Sequence, residues 1–347
     1  MLVINFLNGV VLWFHVKKLS ELGERNAIRL ISEILTKGNI AVGIGDDCAA
    51  IELGKDYLLL TTDMISQKTH ILKEMTPFQI GWFVVAINLS DIAAKGGKPL
   101  GLVLSFGLPK NTNDIFLNNL TEGADKCATK FDTAIIGGDM KETSEITLCG
   151  SAIGIVKKEE FMPRKGAQVG DIVAVTGTIG KAGAGYYNLK YKILKKDVSK
   201  ALFEPVPRLK EGGALAKQKC VTSCMDISDG LSSSLYQLQE LNGVGFEINR
   251  NNLPTSQELL QLSKEQQSLN IYDMALHFGG DYELLLTIPS KKFNKTKVSL
   301  KKIGATLTAI GTVIREKKVL IVDGKVKKIL ENKGYEHFKR HIFDLPL

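Results

Sequence analysis

Apolar and polar positions along the chain follow two periods, close to two and close to 3.6, which predict alternating strands and helices. Apolar residues at helical spacing predict an amphipathic helix over 19–35. A nearly all-apolar run over 76–97 predicts a buried helix that stops at its Gly-Gly pair. Shorter runs predict the other elements of this half: strands at 57–63, 99–109, 133–139 and 146–156, and a capped helix at 111–131.

The predicted buried helix carries one polar stripe. Its few polar residues, Asn88, Asp91 and Lys95, fall at i, i+3 and i+7, so they lie on one face of the helix. A buried helix with a single polar stripe usually faces a site or a wet interface. We therefore expect functional groups beside this stripe.

The second half of the chain begins after a predicted linker at 157–171. Its apolar pattern predicts strands at 172–180, 220–226, 244–249 and 281–288, helices at 207–218 and 229–241, and a hairpin over 319–329 with an Asp323-Gly324 turn. Neither half has the G-x-G-x-x-G unit or the long βαβ rhythm of a Rossmann sheet. The pattern therefore predicts two α+β domains, at 1–156, with 1–18 as an extension, and at 157–347.

Composition agrees with a globular protein without disulfides. The 347 residues are 44% hydrophobic and 24% charged, which is ordinary for a globular chain. The five cysteines are odd in number and scattered without zinc spacing, which favours a reducing cytosol. Residues 1–18 are apolar but lack a basic start and a cleavage site, and their run is too short to span a bilayer. We expect an extra strand or an upstream start there, and no membrane partner.

The net charge of +8 comes mostly from lysine. The lysine-rich runs at 190–196, 290–302 and 315–328 have no interleaved aromatics and no RNA or DNA motif, so a solvated surface is favoured over a nucleic-acid interface. No nucleic-acid partner is expected. A basic field also suits a polyphosphate substrate.

Acidic residues recur at the ends of apolar runs and in tight glycine-rich turns. Each one alone reads as a turn former or a helix cap. Together in one cleft they could not all stay ionised without cations, and oxygen ligands without His or Cys favour Mg²⁺ or Ca²⁺ over zinc. Carboxylates that hold Mg²⁺ beside substrate phosphates are typical of phosphoryl transfer. The candidate ligands are Asp47, Asp63, Asp91, Asp139, Asp226 and Asp229, with Thr61 and Thr62 beside Asp63.

Common nucleotide and nucleophile motifs are missing from the sequence. There is no G-x-x-x-x-G-K-[ST] loop; the run GTIGKAGAG at 177–185 has the wrong spacing and is typical of a strand–turn–helix joint. The protein-kinase motif set is absent, and no Ser/His/Asp triad is suggested. Phosphoryl transfer by this chain would therefore need another fold.

Six segments in order, GIGDDCAA, LLLTTDMISQKTH, INLSDIAAKGGKP, IIGGD, SCMDISDGL and GGDYELLLT, resemble the thiamine-monophosphate kinase family. That family belongs to the ATP-dependent superfamily that includes aminoimidazole ribonucleotide synthetase, and the resemblance covers residues 19–338. It implies an α+β fold of two domains whose N-terminal sheet forms a barrel across a homodimer, with the active site between the domains. It also implies ATP-dependent conversion of thiamine monophosphate to thiamine diphosphate with several Mg²⁺ ions, in the cytoplasm.

The resemblance also implies roles for individual residues. The matched metal positions are Asp47, Thr61, Thr62, Asp63, Asp91, Asp139, Asp226 and Asp229. The matched ATP positions are Gly138, Asp139, Arg164 and Ser228. The matched substrate positions are His70, Gly280 and Tyr335. No residue is matched to covalent catalysis.

Two positions depart from the family pattern. Gly280 stands where many bacterial members have a glutamate that contacts the substrate, so main chain or water would replace that contact. Thr121 stands where some members have a tyrosine at the nucleotide. Without the family resemblance, the local sequence predicts that His70 is a polar loop residue, Arg164 a surface arginine and Tyr335 a core aromatic.

Because the acceptor is already an anionic phosphate, no strong general base is required. Catalysis by alignment and charge cancellation, with direct in-line transfer, is our hypothesis. The alternatives are another ATP-using superfamily member, such as aminoimidazole ribonucleotide synthetase or selenophosphate synthetase, or a basic nucleic-acid-binding protein. Cys48 is an awkward candidate for the reactive cysteine of a selenophosphate synthetase, since it directly follows the paired acids.

Overall fold

The computed structural model describes residues 2–7, 10–15, 17–36, 38, 40–267 and 269–339, with side chains from residue 17 onward. The extension forms an antiparallel hairpin of β1 (Leu2–Leu7) and β2 (Val10–His15). The sequence predicts an extra strand or an upstream start here. The difference arises because the apolar run is long enough for two strands and contains an Asn-Gly pair, a common hairpin signal.

The N-terminal half contains a five-stranded mixed sheet. Its strands are ordered β3-β4-β7-β5-β6, and only the β5–β6 pair is parallel. The predicted helix over 19–35 is broken at Gly23, whose φ of +77° departs from helical geometry. The elements are α1 (Leu19–Leu22), α2 (Glu24–Ile34), β3 (Ala49–Leu53), β4 (Asp56–Ser66), α3 (Pro77–Ala94), β5 (Lys98–Leu108), α4 (Asp114–Lys130), β6 (Ile135–Glu142) and β7 (Thr147–Lys157).

Helix α3 is the buried centre of this half, as the all-apolar pattern predicts. Thr76 and Gln79 form a capping box at its start, and Pro77 occupies the first turn. Gly81 lets α4 approach closely, because a Cβ there would lie 1.9 Å from the carbonyl oxygen of Leu120. Length and composition alone would let α3 cross a bilayer, but 78% of that window is buried inside the protein. It therefore serves as a core helix.

The C-terminal half contains a seven-stranded mixed sheet in the order β14-β13-β10-β12-β8-β11-β9, in which only β10 and β13 pair in parallel. Short 3₁₀ turns lie at Lys158–Glu160 and Arg250–Asn252. The elements are β8 (Ile172–Thr176), α5 (Lys181–Tyr191), α6 (Lys200–Phe203), α7 (Leu209–Ala216), β9 (Ser223–Asp226), α8 (Leu231–Asn242), β10 (Gly245–Asn249), α9 (Gln257–Glu265), α10 (Ile271–His277), β11 (Leu284–Ile288), α11 (Ser290–Lys302), β12 (Leu307–Ile314), β13 (Val319–Asp323) and β14 (Val326–Ile329).

Helix α3 also joins the two halves. It packs so tightly on α7 that a Cβ on Gly212 would lie 2.1 Å from the carbonyl oxygen of Ala93. The predicted α+β class is confirmed, because both sheets are mixed and each half has its own apolar core. The predicted 323–324 turn is off by one residue: Asp323 still pairs with Val326, which leaves Gly324 and Lys325 as the loop.

Candidate active site

A cavity of about 730 Å³ lies where α3, the end of β9 and the two halves of the chain meet. Its walls come from β4, α3, the segment around Arg164, the segments that flank α8 and α10, and residues 333–338. Most of the residues singled out from the sequence border it. These are Asp47, Thr61, Thr62, Asp63, His70, Asp91, Arg164, Asp226, Ser228, Asp229, Gly280 and Tyr335.

Three carboxylates form the centre of the cavity. Asp47, Asp91 and Asp226 each place one oxygen so that the three atoms lie within 4.8 Å of one another. They come from three separate elements: the loop before β3, the polar stripe of α3 and the end of β9. The sequence stripe on α3 and the aspartate that follows an apolar strand therefore converge, as predicted.

Hydroxyl and amide groups hold these acids in place. Thr61 Oγ1 donates to Asp91 at 2.5 Å, and Ser90 Oγ donates to Asp226 at 2.6 Å. Asn88, also on the polar stripe, accepts a bond from the backbone N–H of Asp63 at 3.1 Å. Alternation along β4 puts Thr61 on the helix-facing side with Asp63, and Thr62 on the opposite side.

Two cations, the partly exposed Arg164 and the fully buried Lys95, contact the two oxygens of Asp47. Arg164 donates to its Oδ1, and Lys95 Nζ lies 2.7 Å from its Oδ2. Burial alone would raise the pKa of Asp47, but the positive charges of Arg164 and Lys95 outweigh burial and hold that pKa below its ordinary value. Burial would likewise lower the pKa of Lys95, and the charges of Asp47 and Asp46 raise it instead. Asp47 is thus anionic and Lys95 cationic.

The other central acids repel one another. Burial, and then the charge of Asp47, raises the pKa of Asp226 to about 7 and that of Asp63 to about 6. Burial, and then the charges of Asp63 and Asp226, raises the pKa of Asp91 well above its ordinary value. Crowded carboxylates of this kind are stabilised by a cation among them.

The donor set fits a hard divalent cation. Asp47 Oδ2 is buried and has no hydrogen bond, although the Lys95 ammonium is near. The three converging ligands are carboxylates, and no His or Cys joins their cluster among the described residues. Oxygen-only ligands favour Mg²⁺ or Ca²⁺ over zinc. The residues present therefore fit the metal that the sequence predicts.

Three aromatic side chains, His70, Tyr335 and His337, also border the cavity. The rings of His70 and His337 lie 5.2 Å apart, and His70 Nδ1 lies 2.7 Å from the hydroxyl of Thr69. Tyr335 donates its backbone N–H to the Asp229 carbonyl at 2.8 Å, and its hydroxyl lies 3.2 Å from His337 Nδ1. Burial, and then the charge of His337, lowers the pKa of His70 to about 4. His70 is therefore neutral at physiological pH.

His70 should make stability depend on pH. Its pKa falls from 6.5 to about 4 on folding, so the native state disfavours its protonated form. Its contribution to stability is complete above pH 6.5 and is lost as the pH falls toward 4, at up to about 1.4 kcal/mol per pH unit. Urea unfolding at several pH values should show a shallower acid decline in His70→Gln than in wild type. An equally steep decline would contradict this, and Lys68→Gln, an exposed neighbour, serves as the control.

Asp229 borders the cavity but does not cap α8, which differs from the expected role of these acids as helix caps. That helix starts at Leu231, and its N-cap is Gly230, whose φ is +94°. This backbone turn, which glycine adopts readily, takes the capping position from the aspartate. Burial, and then the charge of Glu24, raises the pKa of Asp229 to about 7.

Gly280, with φ of +89°, donates its N–H to the Ser228 carbonyl at 2.7 Å.

Gly138 and Asp139 lie apart from the cavity. They are exposed on the edge strand β6, where Asp139 forms an ion pair with Lys141 at 3.3 Å. Three strand spacings separate β6 from β4, or about 14 Å. The structure of the single chain therefore does not bring Asp139 to the central acids.

Thr121 is exposed on α4, and its hydroxyl donates to the Leu117 carbonyl at 2.8 Å.

Several residues at the site were not singled out as ligands from the sequence. Asp46 accepts from Lys95 Nζ at 2.5 Å and from the backbone N–H of Arg164 at 2.9 Å, and Glu24 borders the cavity from the start of α2. The polar stripe of α3 was the signal for Lys95, and the doubled acid in GIGDD was the signal for Asp46. No local pattern marks Glu24.

Two family models match the chain. Residues 45–156 match the N-terminal domain of AIR synthase related proteins, and residues 168–323 match their C-terminal domain. These matches agree with an α+β fold of two domains.

Curated relatives match over most of their length. A thiamine-monophosphate kinase from Buchnera aphidicola subsp. Acyrthosiphon pisum is 37% identical over 85% of this chain and 92% of its own. A thiamine-monophosphate kinase from Aquifex aeolicus is 32% identical over 92% of this chain and 100% of its own. A solved structure of AaThiL complexed with AMPPCP and TMP has a TM-score of 0.82 and 30% identity, and covers 93% of this chain and 99% of that one.

Proposed function

Because the chain belongs to the thiamine-monophosphate kinase family, we propose that it transfers the γ-phosphoryl group of ATP to thiamine monophosphate, which gives thiamine diphosphate and ADP. The observation that carries the proposal is the convergence of Asp47, Asp91 and Asp226 in a cavity that His70 and Tyr335 also border. A relative of similar fold binds an ATP analogue together with TMP. Carboxylates and aromatic side chains in one cavity suit a polyphosphate and a thiamine moiety.

The acidic end would hold several Mg²⁺ ions. Bound Mg²⁺ supplies positive charge that cancels the repulsion between the phosphates of two polyanionic substrates. The chain's own part is to fix the ligands, as Thr61 does for Asp91 and Ser90 for Asp226. The proposed ligands that border the cavity are Asp47, Thr61, Thr62, Asp63, Asp91, Asp226 and Asp229. Asp139, on the edge strand outside this cavity, is proposed as a further ligand through the homodimer.

The two substrates would lie on either side of the central acids. Arg164 and Ser228 border the cavity and are proposed to contact the nucleotide, since a guanidinium binds phosphate oxygens in two-pronged geometry. Neutral His70 and Tyr335 are proposed to contact thiamine monophosphate. Gly280 adds no side chain there, so backbone groups would take the place of a carboxylate.

The reaction is proposed as direct in-line transfer. The acceptor phosphate is anionic near neutral pH, so the protein aligns the two reactants and does not need to remove a proton. Rapid quenching with γ-labelled ATP should leave no label on the denatured protein. A covalently phosphorylated chain formed during turnover would refute the direct route.

The N-terminal sheet is proposed to pair with its twin in a homodimer and to form a barrel there. The face of the sheet away from α3 exposes apolar side chains such as Met64, at 60% exposed, and Ile136, at 62%. Large exposed apolar side chains on one sheet face support an interface there. Gly138 and Asp139, on the edge strand of that sheet, are proposed as further nucleotide contacts. Sedimentation should give the mass of two chains.

Domains at 1–156 and 157–347 are proposed as the units that meet at the cavity, supported by the two separate sheets. The free cysteines among the described residues and the family's biosynthetic role support a cytoplasmic enzyme.

The choice of acceptor is the test of this function. The protein with Mg²⁺ and ATP should release ADP rapidly with thiamine monophosphate and at background rate with a precursor of aminoimidazole ribonucleotide, with selenide or with RNA. Turnover that depends on one of the other acceptors, without thiamine diphosphate, would overturn the assignment. Salt-sensitive RNA binding without any ATP turnover would instead indicate a nucleic-acid-binding protein.

A further inference from the structure

The Lys95 side chain is fully buried, and three oxygens surround its ammonium group. Nζ donates to Asp46 Oδ1 at 2.5 Å and to the Cys224 carbonyl at 2.9 Å, and it lies 2.7 Å from Asp47 Oδ2. Carboxylate and carbonyl oxygens are also the ligands that a hard cation takes. The ammonium therefore sits in a coordination shell resembling that of a metal ion.

The position of Lys95 ties this cation to the central acids. It follows Asp91 by one helical turn on the polar stripe of α3, so both side chains project from the same face. Lys95 also shares Asp47 with the cluster of Asp47, Asp91 and Asp226. A fixed positive charge thus stands directly behind the carboxylate that joins the two groups.

Lys95 and Arg164 differ in their access to substrate. Arg164 is partly exposed, borders the cavity and binds the Oδ1 side of Asp47. Lys95 has no exposed side-chain surface, does not border the cavity, and faces the Oδ2 side. Arg164 is therefore accessible to a ligand in the cavity, whereas Lys95 acts only through the groups it contacts.

Stability gives little reason for a lysine at this position. Moving an ammonium and two carboxylates out of water is unfavourable, and apolar side chains of similar size often serve a core as well as a buried ion pair does. An unbranched apolar side chain such as methionine would fill the same space. The charge itself, beside acids that crowd one another, is the property that methionine would lack.

We propose that Lys95 is a positioning residue whose buried ammonium acts as a built-in cation of the acidic cluster and supplies positive charge that would otherwise come from bound divalent metal. The inference rests on the metal site of the proposed function. It predicts that removal of this charge strengthens the binding of divalent cations, since Asp46 and Asp47 are then less neutralised. If Lys95 had a merely structural role, its substitution would weaken metal binding or leave it unchanged.

The test is direct counting of Mn²⁺ bound to the nucleotide-free protein by electron paramagnetic resonance. Lys95→Met should bind Mn²⁺ at least about tenfold more tightly than wild type, since a nearby unit charge has been removed. The double variant Lys95→Met/Asp46→Asn restores the charge balance and should bind within about threefold of wild type. Lys98→Met, which removes an exposed lysine three residues along the chain, should bind as wild type does.

Mn²⁺ binding by Lys95→Met that is equal to or weaker than that of wild type would overturn the proposal. Binding by the double variant that is more than about threefold tighter than that of wild type would also overturn it. Should Lys95→Met unfold without divalent cations, its thermal midpoint must rise more steeply with Mn²⁺ than that of wild type, and a parallel rise would also overturn it. If neither protein binds Mn²⁺, the inference fails. Formation of thiamine diphosphate by the wild-type protein would then show that the proposed reaction holds although the inference about Lys95 has failed.

Discussion

Asp226→Asn is expected to lower the rate of thiamine diphosphate formation by at least about a thousandfold. Asp226 is one of the three converging carboxylates, and asparagine keeps its size but offers no anionic oxygen. Ser90 can still donate to the remaining carbonyl oxygen, so the local fold should persist. The loss should therefore appear in turnover at saturating substrate.

The same variant should be more stable than wild type when no divalent cation is present. Burial and the charge of Asp47 raise the pKa of Asp226, which shows that its ionised form is disfavoured in the folded chain. Removal of that charge relieves repulsion from Asp47 and Asp63. Thermal unfolding in EDTA should give a higher midpoint than that of wild type, and Mg²⁺ should raise the midpoint less than in wild type.

Asp229→Asn is the matched control for that result. Asp229 borders the same cavity but does not belong to the group of three converging carboxylates. Its substitution should reduce turnover less than Asp226→Asn does. Turnover of Asp226→Asn equal to that of wild type would refute this division of roles.

Glu283→Ala is expected to destabilise the protein by about 3–5 kcal/mol. The Glu283 side chain is buried and accepts two bonds from Arg208, at 2.6 and 2.7 Å, and one from Thr176 at 2.8 Å. Alanine would leave the Arg208 guanidinium largely buried, with Glu211, at 3.7 Å, as its remaining ion pair among the described residues. An unpaired buried charge is among the few causes of so large an effect. Urea unfolding measures the change.

A double variant separates the lost pairing from the lost packing. Arg208→Met/Glu283→Leu replaces both charges by apolar side chains of similar size and should regain most of the free energy of unfolding. A loss below about 1 kcal/mol in Glu283→Ala would contradict the account, because a pair of that strength is typical of the exposed surface.

The chain's periodicity was sufficient to predict most elements. The apolar run before Asp226 predicted β9, and the polar stripe on the all-apolar run predicted which face of α3 meets the site. These features are local, since a strand or helix face is set by residues a few positions apart. The break at Gly23 and the cap at Gly230 were missed, because each depends on a backbone angle that glycine permits but does not require.

Contacts between distant residues could not be predicted from local pattern. Lys95 and Asp46 are 49 residues apart, and Arg208 and Glu283 are 75 apart, so only the folded chain shows that they pair. Asp139 shows that a similar local pattern does not guarantee a contact. Its sequence setting equals that of Asp63 and Asp226, yet the strand order places β6 at the sheet edge, three strands from β4.

The most direct test of the central claim is the stoichiometry of one reaction. The purified protein is incubated with ATP and thiamine monophosphate, in Mg²⁺ and separately in EDTA, and both products are quantified. The account predicts one thiamine diphosphate for each ADP in Mg²⁺, and neither product in EDTA. ADP formed with free phosphate in place of thiamine diphosphate, or equal turnover in EDTA, would contradict it.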